Sequence, residues 1–181
     1  MYKVTVTGLK EVVDSFKNLR DCLNSEEMMN YVGDKCERTL YKVTNDNLTS
    51  VDDLEVSEYA RNHQKQIEGN RIILSNNTMA DLSNLSLETQ ANYPNGFSIA
   101  QAIEYGTGIV GASSAASSIA AEYGWEYDVN QHGEKGWFYV KDGQLWHSKG
   151  FEGRLIYYKT TKEIADNINE WLIKYLESKT K

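Results

Sequence analysis

The 181-residue sequence is nearly free of proline: Pro94 is the only one. A disordered, proline-rich linker protein is therefore excluded, and long regular elements are favoured. Cysteine is scarce too. Cys22 and Cys36 form no C-x-x-C and have no histidine at metal-ligand spacing, so two reduced thiols on helix faces are expected rather than a disulfide or a zinc site. Basic residues are outnumbered, 19 Lys and Arg against 26 Asp and Glu. The net charge of −7 argues against a broad phosphate-gripping surface. No apolar run approaches the length of a membrane helix, and the N-terminus has no basic stretch followed by an apolar one, so neither a span nor a signal peptide is expected.

What is present is ordinary in bulk, with 40% hydrophobic and 25% charged residues, but rich in tyrosine, of which there are 12. Such a balance suits a soluble globular domain with aromatic strands. Tyr2, Val4 and Val6 alternate as in a half-buried strand. Leu9, Val12, Val13, Phe16, Leu19 and Leu23 then recur at helical spacing. Asn24 or Ser25 can cap a second helix, with Glu26 and Glu27 in its first turn and Met29, Val32, Cys36, Leu40 and Val43 along one side. The polar stretch Asn45–Glu58 reads as a surface connection, and "YARNHQKQIEG" after it fits no pattern.

From Asn70 onward the character changes. "NRIILSNN" and "LSNLSLETQ" read as short strands, "YPNG" as a turn, and "FSIAQAIEYGTG" as a short helix stopping at Gly106. "GASSAASSIAA" (Gly111–Ala121) offers little to bury and reads as a flexible connection, or as a loop that orders against a partner. "WFYVKDGQLWH" carries Asp142-Gly143 between aromatic runs, a hairpin signal. Thr160 and Glu163 make a T-x-x-E capping box for a last helix, whose apolar stripe is Ile164, Ile168, Trp171 or Leu172, Tyr175 and Leu176. Trp171 is assigned to the core or to a subunit contact.

Gly106, Gly108 and Gly111 spell G-x-G-x-x-G, the pattern of a dinucleotide-binding loop. Its context is wrong for that use. The residues before Gly106 include ionisable Glu104 and read as helix, those after Gly111 lack an apolar stripe, and no strand–helix alternation supports a doubly wound sheet. Asp128 stands at about the right distance for a ribose contact, which is a weak match. There is no Walker loop and no G-x-S-x-G elbow, and His63, His132 and His147 form no ligand spacing. Glu104 with Glu126 or Asp128 could serve as acid and base, but carboxylates at unknown separation read first as surface pairs. The expectation is a protein that is not an enzyme and has no cofactor or metal.

At "AIEYGTG" the sequence resembles the tailed-bacteriophage morphogenesis proteins of the head–tail joining and tail-completion family. Members tend to carry an N-terminal strand and a "G-L" helix start, a longer second helix, a short strand pair and a segment ending in E-[FY]-G-T. A Gly-rich region with "GW-Y" and an amphipathic C-terminal helix follow. The matching parts here are "VTVTGLKEVVDSF", the Met28–Leu48 helix, "GNRIILSNN", "SIAQAIEYGTG" and "GWFYVKDGQLWHSKGFEGRLIYYKTTKEIADNI". "TSVDDL" and "GRLIYY" stand where the family often has an "aPvdTG"-like stretch and a Pro-Phe, which leaves the position within the neck open.

The resemblance implies a structural virion protein, made in the bacterial host's cytoplasm and placed in the neck or tail. It would join head to tail, or complete the tail, as a homo-oligomeric ring contacting other neck and tail proteins. DNA would pass nearby without specific binding, and no membrane is involved. It also implies that Glu104, Tyr105, Gly106, Thr107 and Gly108 form a helix-end turn. Gly106 would take the left-handed position, Thr107 would bond a free helix carbonyl, and Glu104 would pair with a basic neighbour. The loop beyond, with Gly111, Ser114, Ser117 and Ile119, would wrap a neighbouring subunit, and Trp137, Trp146 and Trp171 are candidate interface aromatics. The fold expected is a single α+β domain over residues 1–181: helices on one face of a small, mainly antiparallel sheet, with a long flexible loop and hairpin as an excursion over 108–150. Competing readings are a tail terminator, a nucleotide-dependent enzyme using the 106–111 glycines, and an aromatic-rich module binding a ligand through Trp125, Trp137 and Trp146.

Overall fold

A computed structural model describes residues 9–23, 25–48, 54–80, 83, 91, 96–127, 137–141 and 143–179. The fold is α+β. In chain order the elements are α1 (Leu9–Leu23), α2 (Glu26–Leu48), α3 (Leu54–Arg61), β1 (His63–Glu68), β2 (Arg71–Asn76), α4 (Ile99–Tyr105), β3 (Gly106–Thr107), α5 (Gly108–Ala112), α6 (Ser117–Glu122), β4 (Trp137–Lys141), β5 (Gln144–Ser148), β6 (Phe151–Glu152) and α7 (Ile156–Lys179). The strands form three antiparallel two-stranded ladders, β1–β2, β3–β6 and β4–β5. The strand expected from Tyr2, Val4 and Val6, the stretch "LSNLSLETQ" apart from Ser83, and Pro94, Asp128 and His132 lie outside the described residues.

The long antiparallel pair α2 and α7 organises the core. Ser25 caps α2, its hydroxyl oxygen accepting the Met28 amide at 3.1 Å, and Glu26 and Glu27 occupy the first turn, where the helix dipole favours them. All five apolar positions read from the α2 sequence are buried. Ile164, Ile168, Trp171, Leu172 and Leu176 of α7 pack against the cluster formed by Met28, Met29, Val32, Cys36 and Tyr175. A second cluster, built on Leu40, Val43, Tyr59, Ile99, Ile103 and Ile156, joins α2, α3, α4 and the start of α7. Leu74 touches both clusters. Leu19 of α1, by contrast, is 42% exposed and stands apart from the expected stripe.

The unplaced segment "YARNHQKQIEG" is the end of α3 and all of β1. Its apolar content is low because only one face of β1 turns inward. The pairings His63↔Asn76, Lys65↔Leu74 and Ile67↔Ile72 put those six residues on one face, while Gln64, Gln66 and Glu68 are exposed. Lys65 is held at the α2 edge by Asp34 at 2.5 Å and Glu37 at 2.9 Å. The partner strand for "NRIILSNN" is thus this polar segment. Nor is Asn45–Glu58 one connection, since α2 continues to Leu48 and α3 begins at Leu54.

Two further expectations are corrected. The small-residue segment is helical over Gly108–Ala112 and Ser117–Glu122, with Ala116 and Ala120 buried. Alanine is the best helix former, and residues this small let a helix lie directly on neighbouring backbone. The last helix starts at Ile156, not at a Thr160 cap; Thr160 is buried one turn inside it. The hairpin forms as read, with Trp137↔Ser148 and Lys141↔Gln144 at its two ends and Gly143 at φ 74°; Asp142 lies outside the described residues.

Candidate functional site

Residues Glu104–Thr107 form the junction between α4 and three later parts of the chain. Ser98 caps α4, its hydroxyl accepting the Gln101 amide at 3.2 Å. The helix ends where the Gly106 amide donates to the Ala102 carbonyl. Gly106 then turns at φ 86°, ψ 177°, a positive-φ extended conformation outside the left-handed helical region expected for it. Space and backbone angle both demand glycine here. A Cβ would stand 2.5 Å from the Gly153 nitrogen and the Phe151 carbonyl oxygen.

Glu104 is buried, and among the described residues no basic side chain forms the expected ion pair with it. Its carboxylate accepts the amides of Tyr157 at 2.9 Å and Tyr158 at 3.0 Å, and so caps the N-terminus of α7 from another helix. The sequence in front of α7 makes this necessary. Leu155 stands at the cap position with φ 53°, and an apolar side chain there leaves the first-turn amides without a local acceptor. The backbone reinforces the link, because Ile103 and Glu104 carbonyls accept the amides of Arg154 at 2.8 Å and Leu155 at 3.0 Å. Burial pushes the Glu104 carboxyl above its ordinary range, while the Tyr157, Tyr158 and Ile156 amides and the Lys159 charge pull it back.

Thr107 makes no side-chain cap; it pairs with Phe151 in the β3–β6 ladder, next to the Gly106↔Glu152 pair. Gly108 opens α5 at φ 59°. The glycine pattern faces backbone, not open space. A Cβ on Gly111 would lie 2.8 Å from a Tyr127 ring carbon and 2.9 Å from the Gly106 carbonyl carbon. One on Gly153 would lie 2.5 Å from the Tyr105 carbonyl carbon, and one on Gly150 would strike the Thr107 carbonyl. Gly106, Gly108 and Gly111 therefore lie on the 150–153 segment as a backbone-on-backbone seam, closed by Val110 N–H donating to the Lys149 carbonyl at 3.2 Å. A helix, α4, leads into the pattern, and the pattern itself is a two-residue strand followed by a five-residue helix.

Aromatic side chains brace the junction. The Trp125 indole donates to the Gly106 carbonyl at 3.2 Å and the Tyr127 hydroxyl to the Tyr105 carbonyl at 2.9 Å. Tyr105 stacks on Tyr123 with centroids 6.0 Å apart and lies 5.8 Å from Trp125. Tyr123 is 66% exposed, so this stack reaches solvent. Trp125 and Tyr127 lie outside the turn that the sequence predicts; their only signal is aromatic density after the Ala-rich segment.

The other expected site residues divide. Gly111 is buried, and Ser114, Ser117 and Ile119 are half-buried against their own chain; Ser114 donates to the Gly111 carbonyl at 2.7 Å. Trp171 is partly buried against the α2–α7 cluster. Trp137 and Trp146 occupy β4 and β5, and their side chains lie outside the described residues. Among the described residues no group of three or more His, Cys, Asp and Glu could hold a metal, and no helix is long and apolar enough to cross a membrane. No family model, curated protein or solved structure matches the chain.

Proposed function

We propose that the chain is a structural virion protein of a tailed phage or prophage, joining head to tail or completing the tail in the neck region. The observation that carries this reading is the E-Y-G-T segment in its setting. A long second helix, a strand pair and a short helix lead to Glu104–Thr107, and an aromatic hairpin and a long C-terminal helix follow, in the order of the family it resembles. Within that order Glu104 fastens the C-terminal helix and Gly106 lies on the 151–153 segment, so the motif is a fastening point of the fold. Work of this kind is done by interfaces, and the subunit would assemble into a homo-oligomeric ring with other neck and tail proteins as neighbours. A net charge of −7 suits a part past which DNA slides without sticking.

Electron microscopy of a lysate from the parent phage lacking this gene tests the reading. Filled heads beside free tails of normal length are expected. Tails of uncontrolled length would move the protein to tail termination. Intact infectious particles would overturn the neck assignment in favour of an enzyme or a ligand-binding module.

A further inference from the structure

His63 is a buried imidazole at the point where α2, α3, β2 and α7 meet. Its protonation state can be worked out from its neighbours. The Thr44 hydroxyl donates its one proton to the Leu40 carbonyl at 2.8 Å, so toward His63 Nε2, also at 2.8 Å, it can only accept. The other side gives the same answer independently. The Thr78 amide, which can only donate, points at Asn76 Oδ1 at 3.0 Å and so fixes the orientation of that side chain. Asn76 Nδ2 then donates to the Tyr59 carbonyl at 2.7 Å and faces His63 Nδ1 at 3.2 Å. Nδ1 must therefore be a bare acceptor, with the Tyr157 hydroxyl donating to it at 3.1 Å.

We propose that His63 is an acid-sensitive clasp: neutral, with its proton on Nε2, it fastens the first turn of α7 to α2 and the β1–β2 hairpin, and a proton taken up at Nδ1 releases that turn. A proton on Nδ1 would point at the Asn76 amide hydrogens, and the Tyr157 hydroxyl would have to reverse to accept it. Among the described residues no acid bonds to the ring to compensate. From α2 it meets Tyr41, from α3 Tyr59 and from α7 Tyr157, with centroids 5.6, 5.1 and 5.8 Å away. Glu104 of α4 has its carboxylate engaged by the α7 amides, and Lys65, the next inward residue of β1, is committed to Asp34 and Glu37.

Burial pushes His63 down to about 4 from an ordinary 6.5. Because the folded value is the lower one, its contribution is present above pH 6.5 and is lost as the pH falls through the interval to 4. The folding equilibrium constant should drop about 30-fold through this residue between pH 7.5 and pH 5. Denaturant unfolding of wild type and His63→Gln across that range is the test. Glu104 titrates in the opposite sense in both proteins and cancels in the comparison. The wild type should lose the extra 30-fold, and parallel profiles would overturn the clasp. Nitrogen-resolved NMR of wild type needs no variant to fold. Protonated Nε2, bare Nδ1, titration far below the ordinary imidazole range, and exchange of the Tyr157 and Tyr158 amides rising with that titration are expected. An Nδ1 proton at neutral pH, or a midpoint near 6.5, would overturn it.

Discussion

The α2–α7 core and the glycine seam hold the chain together by opposite means. In the core, Leu40, Tyr59 and Ile156 are fully buried, and the contact is made by side-chain volume. In the seam, Gly106 and Gly111 lie on Phe151–Gly153, and the contact is made because side chains are missing. Volume can be redistributed among neighbours, whereas a missing Cβ cannot be replaced by a smaller one. The core should therefore respond to substitution in grades, and the seam abruptly.

The largest effect is expected from Gly106→Val. A residue other than glycine at φ 86° is strained by about 1–3 kcal/mol, and here its Cβ also meets two backbone atoms at 2.5 Å that cannot swing away. No cooperatively folded protein should be recovered in thermal unfolding. Next comes Leu40→Ala in the core, a loss of about 2–5 kcal/mol by denaturant unfolding, with the fold retained. A loss at Leu40 as abrupt as that at Gly106 would erase the distinction between the two regions.

Glu104→Ala sits between the two regimes, since it removes the acceptor for two half-buried amides; about 1–3 kcal/mol should be lost. Its carboxyl is raised in the folded protein, so its titration favours the fold below the ordinary carboxylate range and loses that contribution as the pH rises through the raised value. Glu104→Gln should flatten this pH dependence while keeping one acceptor, which unfolding curves through the mildly acidic range will show. Gly124→Ala sharpens the comparison further. Gly124 also has positive φ, 73°, but nothing lies within 4 Å of its Cβ position, so the cost should be only about 1–2 kcal/mol. At the small end, Lys174→Ala breaks an exposed pair with Glu170, and no measurable change in stability is expected.

The graded region was the legible one. The stripes of α2 and α7, the Ser25 cap and the Asp142-Gly143 hairpin follow from periodicity and local turn chemistry, which a single stretch of sequence carries. The abrupt region was legible only as an anomaly, three glycines with the spacing of a phosphate loop and the wrong surroundings. What fills the space beside Gly106 is backbone from residues 151–153, and no local pattern encodes that partner. The start of α7 was misplaced for the same reason. Its cap, Glu104, lies 53 residues before the amide of Tyr157, so the local T-x-x-E pattern stood out by default. His63–Glu68 was unreadable because its inward face carries His63 and Lys65, polar residues that spend their hydrogen bonds on Thr44, Asp34 and Glu37. In hindsight the apolar Leu155 before a long helix was the readable sign that a cap had to arrive from elsewhere.

The Glu104 cap also fixes a path for force. α7 has 24 residues and so reaches roughly 36 Å from its capped end. Its first turn is tied through Glu104 to α4, and α4 runs without interruption into Gly106 and the seam. The far end of this helix lies on α2 through Tyr175 and Leu176, with Lys179 paired to Glu27. A pull there is borne first by that apolar contact, and only its axial part travels along the helix to the Glu104 cap and the bare backbone of the glycines.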